Sequence, residues 1–251
     1  LGENLGVRPE ESQWTYGATV GGPIVKDKLF FFINAEGVTE PSEVIQYRPD
    51  EASAAVLDKI YDKLLNDYGY DAGSYNKYPG GNNNLKLLAR VDWNINQNNK
   101  LMLRFNKTKN TQWNAPNGNS CDDNFRNRAF NRSGENSFPF SNNMYSQRND
   151  VTSVAAELNS RFSSSVSNQF IFTYSDINDQ RGSNSSLFPH IDIMSGDEDF
   201  QATGNYIPFT SFGYELFSYN NGVKNKVFNA TDNLTYYAGN HKITAGLNWE
   251  R

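Results

Sequence analysis

Leu85-Lys86-Leu87-Leu88-Ala89-Arg90-Val91-Asp92-Trp93-Asn94-Ile95 alternates between two kinds of side chain. Leu85, Leu87, Ala89, Val91, Trp93 and Ile95 share one face of an extended chain, while Lys86, Arg90, Asp92 and Asn94 share the other, with Leu88 as the single apolar exception. Successive strand residues point to opposite sides, so a period of two marks a β-strand and not a helix of period 3.6. The same pattern returns at the far end. His241, Ile243, Ala245, Leu247 and Trp249 oppose Lys242, Thr244, Gly246, Asn248 and Glu250, and the preceding run sets Phe228, Ala230, Leu234 and Tyr236 against Asn229, Thr231, Asn233 and Thr235. Asp232 falls on the apolar side with no local reason for being there.

Outward from these runs, the chain reads as four hairpins, over about 13–37, 84–109, 150–180 and 225–251. Asn96-Gln97-Asn98-Asn99, Ser163 to Asn168 and Ala238-Gly239-Asn240 supply three of the short turns. In the first hairpin, Trp14, Tyr16, Ala18 and Val20 alternate with Gln13, Thr15, Gly17 and Thr19, and Gly21-Gly22-Pro23 is expected to end the strand. The return strand from Leu29 is apolar on both faces at its start, which suggests that something covers it from inside. Between hairpins lie long connections; the one from Asn110 to Asn149 runs to roughly forty residues, against a usual length of about 4 to 6. The first contains the one helical pattern, about Glu51 to Tyr68, with Asp50 as N-cap and Ala54, Leu57, Ile60, Tyr61, Leu64, Leu65 and Tyr68 as its stripe. Short turns on one side and long loops on the other are the pattern of a transmembrane β-barrel. The fold class expected is all-β, an antiparallel transmembrane β-barrel segment of about eight strands of a larger barrel, with one short helix in an extracellular loop.

Composition agrees. Of the 251 residues only 37% are hydrophobic, yet 14% are aromatic, and the mean hydropathy is -0.71. A disordered chain would be poor in aromatics, whereas a wide barrel with a wet interior needs one apolar residue in two along each strand. No run approaches the roughly 18 apolar residues of a membrane-spanning helix, which does not weigh against a barrel. The formal net charge of -5 and pI near 5.1 deny the basic footprint of a nucleic-acid binder, and Arg90, Arg104 and Arg126 are scattered. The lone Cys121 forms no internal disulfide.

The run Gly21-Gly22-Pro23-Ile24-Val25-Lys26-Asp27-Lys28-Leu29-Phe30-Phe31-Phe32-Ile33-Asn34-Ala35-Glu36-Gly37 resembles a signature of TonB-dependent outer-membrane receptors, in the Oar-like group with a carboxypeptidase-regulatory-like N-terminal domain. Arg90 to Asn96 with Lys100 to Phe105, and Thr231 to Tyr237, are similar to the same family. The resemblance implies a barrel of about 22 strands around a plug. It also implies uptake of a bulky nutrient powered by the TonB complex, in the outer membrane of a Gram-negative bacterium of the Bacteroidota. On this reading residues 1–251 are a partial receptor barrel. The signal peptide, the plug with its TonB-contacting box and the remaining strands are expected to belong to a longer parent chain. The implied partners are outer-membrane lipid, that plug, the TonB complex through regions outside this sequence, and a nutrient such as an oligosaccharide, peptide or metal chelate. No cofactor is implied.

Catalytic constellations are missing from the sequence. His190 and His241 have no metal-ligand spacing to another His or Cys, and no motif selects a nucleophile and base from the many Ser and Asp residues. The protein is therefore read as a non-enzyme. Asp192, Asp197, Glu198 and Asp199 are the weak candidates for a hard-cation site, since calcium needs several oxygens together, but they lack EF-hand spacing and a solvated loop is favoured. The long loops hold the candidate ligand contacts Trp113, Phe125, Arg126, Arg128, Phe138 and Tyr145, aromatic and cationic groups able to stack on sugars or peptides; packing of the loops explains the aromatics equally well. Two rival readings stay open here. One is a complete eight-stranded barrel serving as adhesin or structural protein, the other a soluble β-sandwich with its apolar faces packed inward.

Overall fold

The computed structural model describes residues 12–44, 46–116, 132–195 and 207–251. Ten strands and one α-helix are present among them: β1 (Trp14–Val25), β2 (Leu29–Glu40), α1 (Glu51–Tyr68), β3 (Asn82–Asn94), β4 (Asn99–Asn114), β5 (Tyr145–Arg161), β6 (Val166–Ser183), β7 (Ile191–Ser195), β8 (Ile207–Phe212), β9 (Gly222–Ala238) and β10 (His241–Glu250). Eight form one antiparallel sheet in the order β1-β2-β3-β4-β5-β6-β9-β10, and β7 pairs with β8 in a separate hairpin. The sheet is open: β1 and β10 each pair on one side only. It is therefore neither a closed eight-stranded barrel nor a sandwich, because a sandwich needs a second sheet against the apolar face.

Register assigns the faces. Val91 lies between Phe31 and Leu103, Leu103 pairs Ala156, Ala156 pairs Phe172, Phe172 pairs Ala230 and Ala230 pairs Trp249, so one row of apolar side chains crosses from β2 to β10. Leu103, Phe105, Val154, Phe170, Leu234, Ile243 and Trp249 on this side are all exposed, and Leu247 reaches 81%. A contiguous apolar face of this extent is untenable in water and suits lipid. The band is not level. It centres on Tyr16 and Ala18 in β1 but on Ala245 and Leu247 in β10, several pair rows lower, as tilted and staggered strands require.

The opposite face is wet and cross-linked by side chains. Lys86 meets Glu36 at 2.9 Å, and Arg90 forks onto Asp92 at 2.6 and 2.7 Å. Glu157 Oε1 accepts from Asn159 and Gln169, both at 2.8 Å, and Asn248 Nδ2 donates to Thr231 Oγ1 at 2.7 Å. An arginine at the middle of the apolar band, Leu103→Arg, is expected to destabilise insertion by about 2–4 kcal/mol, whereas Thr173→Arg on the wet face changes little. Equilibrium refolding of the protein into phospholipid bilayers measures both; equal effects would sink the face assignment.

Gly21-Gly22-Pro23 does not end β1, contrary to expectation. The strand runs on to Val25, with a register shift between Pro23 and Val25, and turns at Lys26 to Lys28, where Lys28 N donates to Val25 O at 3.0 Å and Asp27 adopts φ 61. The register shift makes a bulge at the proline, a setting in which a missing N–H is tolerated. Tyr16 packs over its pairing partner Gly37, where a Cβ would come within 2.5 Å of the ring, so the glycine makes room for the aromatic. The other strands also outrun the periodic signal: β4 extends to Asn114, β5 begins at Tyr145 and β6 ends at Ser183, because backbone pairing continues where apolar alternation has stopped. Asp232 now has its reason. Its Oδ1 accepts from Asn168 Nδ2 at 2.8 Å, so the carboxylate is hydrogen-bonded across to β6.

The helix is bounded as its ends dictate. Asp50 accepts from Ser53 N at 2.8 Å, and Gly69, in the left-handed region at φ 62, lets its own N–H and that of Tyr70 reach the carbonyls of Leu65 and Leu64. Of the stripe, Leu57 and Leu64 are buried while Leu65 and Tyr68 stay exposed. The surface that buries the helix is supplied by the other loops.

Candidate functional site

The main hydrophobic core lies outside the strand wall, in the long connections. Leu57, Leu64, Tyr70, Ala72, Phe138, Phe140 and Phe212 pack together, flanked by Tyr61, Tyr75, Phe188, Ile193 and Phe209. Three connections, β2 to β3, β4 to β5 and β6 to β9, supply these residues, so the loops fold into one cap. Tyr70 stacks on Phe188 with centroids 4.0 Å apart, and its hydroxyl bonds Ser185 Oγ at 2.8 Å and receives Gly213 N at 3.0 Å. The segment before β5 docks beside β8, with Phe138 N donating to Phe209 O and Phe140 N to Ser211 O at 2.8 and 2.9 Å. Tyr78 donates to Pro139 O at 2.7 Å; burial raises its phenol well above the usual range. Gly213 sits at φ 98 against Pro189 O, where a Cβ would lie 2.0 Å from that oxygen, so only glycine fits this crossing.

Two polar clusters pin the cap. In the first, Arg132 forks onto Asp192 with Nε and Nη2 both at 2.8 Å, Ser211 Oγ donates to Asp192 Oδ1 at 2.7 Å, and His190 Nε2 stands 3.4 Å away. Burial pushes the Asp192 carboxyl up, but the nearby His190, the hydrogen bonds from Arg132 and Ser211 and the guanidinium charge outweigh it and hold the group well below the usual carboxylate range. In the second, Arg181 at the end of β6 reaches Glu215 at 3.1 Å while its guanidinium lies 3.7 Å over the Tyr145 ring, and Ser218 also bonds Glu215. This cluster ties the cap to the wet face of the wall.

Above it lies an open pocket of about 370 Å³, lined by Leu187, Phe188, His190, Tyr214, Leu216 and Tyr219 with Glu215 in its wall. Tyr219 is 63% exposed and meets Tyr214 edge to face at 6.1 Å. Aromatic walls with a few polar groups are the chemistry of a site for a ring, a sugar or a peptide side chain. At the turn end of the wet face a second depression, about 550 Å³, presents Lys100, Arg161 and Lys242 among Asn159, Gln169 and Thr244, with no carboxylate in its lining.

The residues singled out from sequence are not brought together. Trp113 lies in β4 on the membrane side, in a row with Ser146 and Gly182, whereas Tyr145 faces the lumen side beneath Arg181. Phe138 is 4% exposed, inside the cap core. Phe125, Arg126 and Arg128 lie outside the described residues, as do Asp197, Glu198 and Asp199. Asp192 is engaged by a guanidinium, and no cluster of metal-ligating side chains occurs among the described residues. The sequence reading missed the pocket of Tyr214 and Tyr219; its signal was the aromatic spacing in Phe212, Tyr214, Phe217 and Tyr219, which follows neither strand nor helix period.

Comparison with known proteins places this architecture. Residues 4–55 and 41–251 match the family described as outer membrane beta barrel domain. No curated protein matches. Five solved chains match. One, described as the CymD monoaromatic hydrocarbon channel, is 10% identical with a TM-score of 0.32 over 96% of this chain and 59% of the channel, so the chain spans less than two thirds of that protein's length.

Proposed function

The chain belongs to the outer membrane beta barrel domain family, and from that premise we propose that it forms one side of a TonB-dependent receptor that takes up a bulky nutrient. The observation that carries the reading is the cap: three long connections share a core and present an aromatic pocket, where a simple pore would leave its mouth open. The Gly21 to Gly37 run, similar to the signature of these receptors, supports the energy-coupled class. On this reading residues 1–251 are a partial barrel domain, and the eight strands are an arc of a wider wall whose edges β1 and β10 are completed by further strands. The cationic depression around Lys100, Arg161 and Lys242 faces the plug of the parent chain, and the doubly apolar start of β2 at Phe30 and Phe32 packs on the same body. Tyr214, Tyr219 and Tyr145 are the proposed ligand contacts, with the wall acting as scaffold and no catalytic step.

The test is uptake by cells that carry the full parent chain, challenged in turn with oligosaccharides, peptides and ferric chelates. Uptake that stops when TonB is deleted or the proton gradient is collapsed is expected. Uptake that persists under both treatments would make the protein a passive channel and end the TonB-dependent reading. Loss on Tyr219→Ala, with unchanged outer-membrane insertion, would assign the pocket.

A further inference from the structure

The membrane side of the wall carries a charged pocket that uptake does not use. Cross-strand register sets Lys109, Asp150, Asn178 and Lys224 in one row of the apolar face, and Lys107, Thr152, Asp176 and Lys226 in the next. The row below is Phe105, Val154, Tyr174 and Phe228. The band thus changes from rings and aliphatics to charge within one residue pair, on the side of the long connections. Apart from Lys109, the polar residues of these two rows line a single pocket of about 360 Å³. Beside it on the same strands an apolar groove of about 410 Å³ runs among Leu103, Phe105, Val154, Ala156 and Phe172, opened by the small side chains of Ala89 and Ala156.

The pocket's charges are only partly used within the protein. The Lys107 ammonium bonds Asp150 and Thr152. Lys109, Lys224 and Lys226 are exposed and make no ion pair among the described residues. Asp176 accepts from the Tyr174 hydroxyl at 3.4 Å, and Asn178 Oδ1 is buried with no hydrogen-bond partner. Unpaired ammonium groups at the upper rim of a lipid-facing band stand where lipid phosphates lie, on stems long enough to reach them. The carboxylates and the Asn178 carbonyl would disfavour a headgroup of phosphates alone; they require donors, such as sugar hydroxyls.

We propose that the pocket and groove together bind one phosphate-bearing glycolipid of the outer leaflet. Lys224, Lys226 and Lys109 pair with phosphate, Asp176 and Asn178 accept from sugar hydroxyls, and an acyl chain lies in the groove over Ala156. The long connections mark this as the external side, hence the outer leaflet. The site depends on the membrane placement of the wall and not on how the nutrient is driven across, so failure of one reading leaves the other standing.

The test is native mass spectrometry of the full parent chain in detergent, titrated with diphosphoryl lipid A, its dephosphorylated form and inorganic phosphate. Diphosphoryl lipid A is expected to bind, and the Lys224→Gln/Lys226→Gln double variant to weaken it by about thirtyfold. Ala156→Trp, which fills the groove, weakens it as well, while Lys59→Gln/Lys63→Gln on the exposed side of α1 leaves it unchanged. Heat-modifiable electrophoretic mobility shows that each variant is folded. Equal binding of the dephosphorylated lipid, full affinity in the double glutamine variant, an equal loss in the α1 control, or displacement by millimolar inorganic phosphate would each overturn the assignment.

Discussion

Phe140→Ala is expected to open the cap while leaving the strand wall intact. The ring is fully buried and sits between Tyr61, Tyr75 and Phe212, with centroids 6.2, 5.9 and 6.3 Å away. From the β4 to β5 connection it meets rings of the other two long connections, so no single loop can relax to fill the space. Truncating a buried phenylalanine costs about 3–5 kcal/mol, or roughly two to four orders of magnitude in the closed-to-open ratio. The wall has no share in that cost, since its strands are held by cross-strand backbone pairing and by lipid on one face. Hydrogen exchange on the protein should therefore accelerate in α1 and around β8, with β4 to β6 unchanged. Unaltered exchange in α1 would show that the core does not hold the loops together; acceleration in the wall would show that cap and wall are one cooperative unit.

Arg132→Met is expected to cost about as much, roughly 3–5 kcal/mol, because it strips the cation from a carboxylate shielded from water. The Arg132 side chain is 2% exposed and that of Asp192 16%. Acidity separates this effect from lost packing. In the native protein the Asp192 carboxyl lies below its unfolded value, so its contribution is complete above about pH 4 and is lost as pH falls toward the native value. In the variant, burial remains while both the hydrogen bonds and the charge of Arg132 are gone, so the carboxyl rises. Protonation then relieves a buried charge, and the variant's cap gains stability as pH falls from that raised value toward about 4, above the range in which the native cap loses it. Surface proteolysis of the cap between pH 6 and 3 reads the variant's gain above about pH 4 and the native protein's loss below it. Parallel slopes would mean that Asp192 is not the group being held.

The wall was open to reading because the rule behind it is local. Parity alone assigns Leu87, Ala89 and Val91 to one face and Lys86 and Arg90 to the other, and the short turns bring each strand against its neighbour. The helix was equally open, since Asp50 and Gly69 act within four residues of the ends they cap. The strand through Gly21-Gly22-Pro23 was misjudged for a related reason: proline opposes pairing in general, but its cost depends on whether the pairing shifts register around it, which is a property of the sheet.

The cap obeys no such local rule. Tyr70 meets Ser185 across 115 residues and Gly213 across 143, and the β7–β8 hairpin carries too few alternating residues to announce itself. Asp192 looked like part of a solvated acidic stretch until the fold set Arg132 against it. Sequence by itself determined a two-faced antiparallel wall with apolar residues toward lipid, because the side a strand residue faces follows from its position alone. Only the tertiary structure decided which loop aromatics are core and which line a pocket, and which lysines of the apolar face gather at its rim, because these depend on contacts and register between segments far apart in the chain.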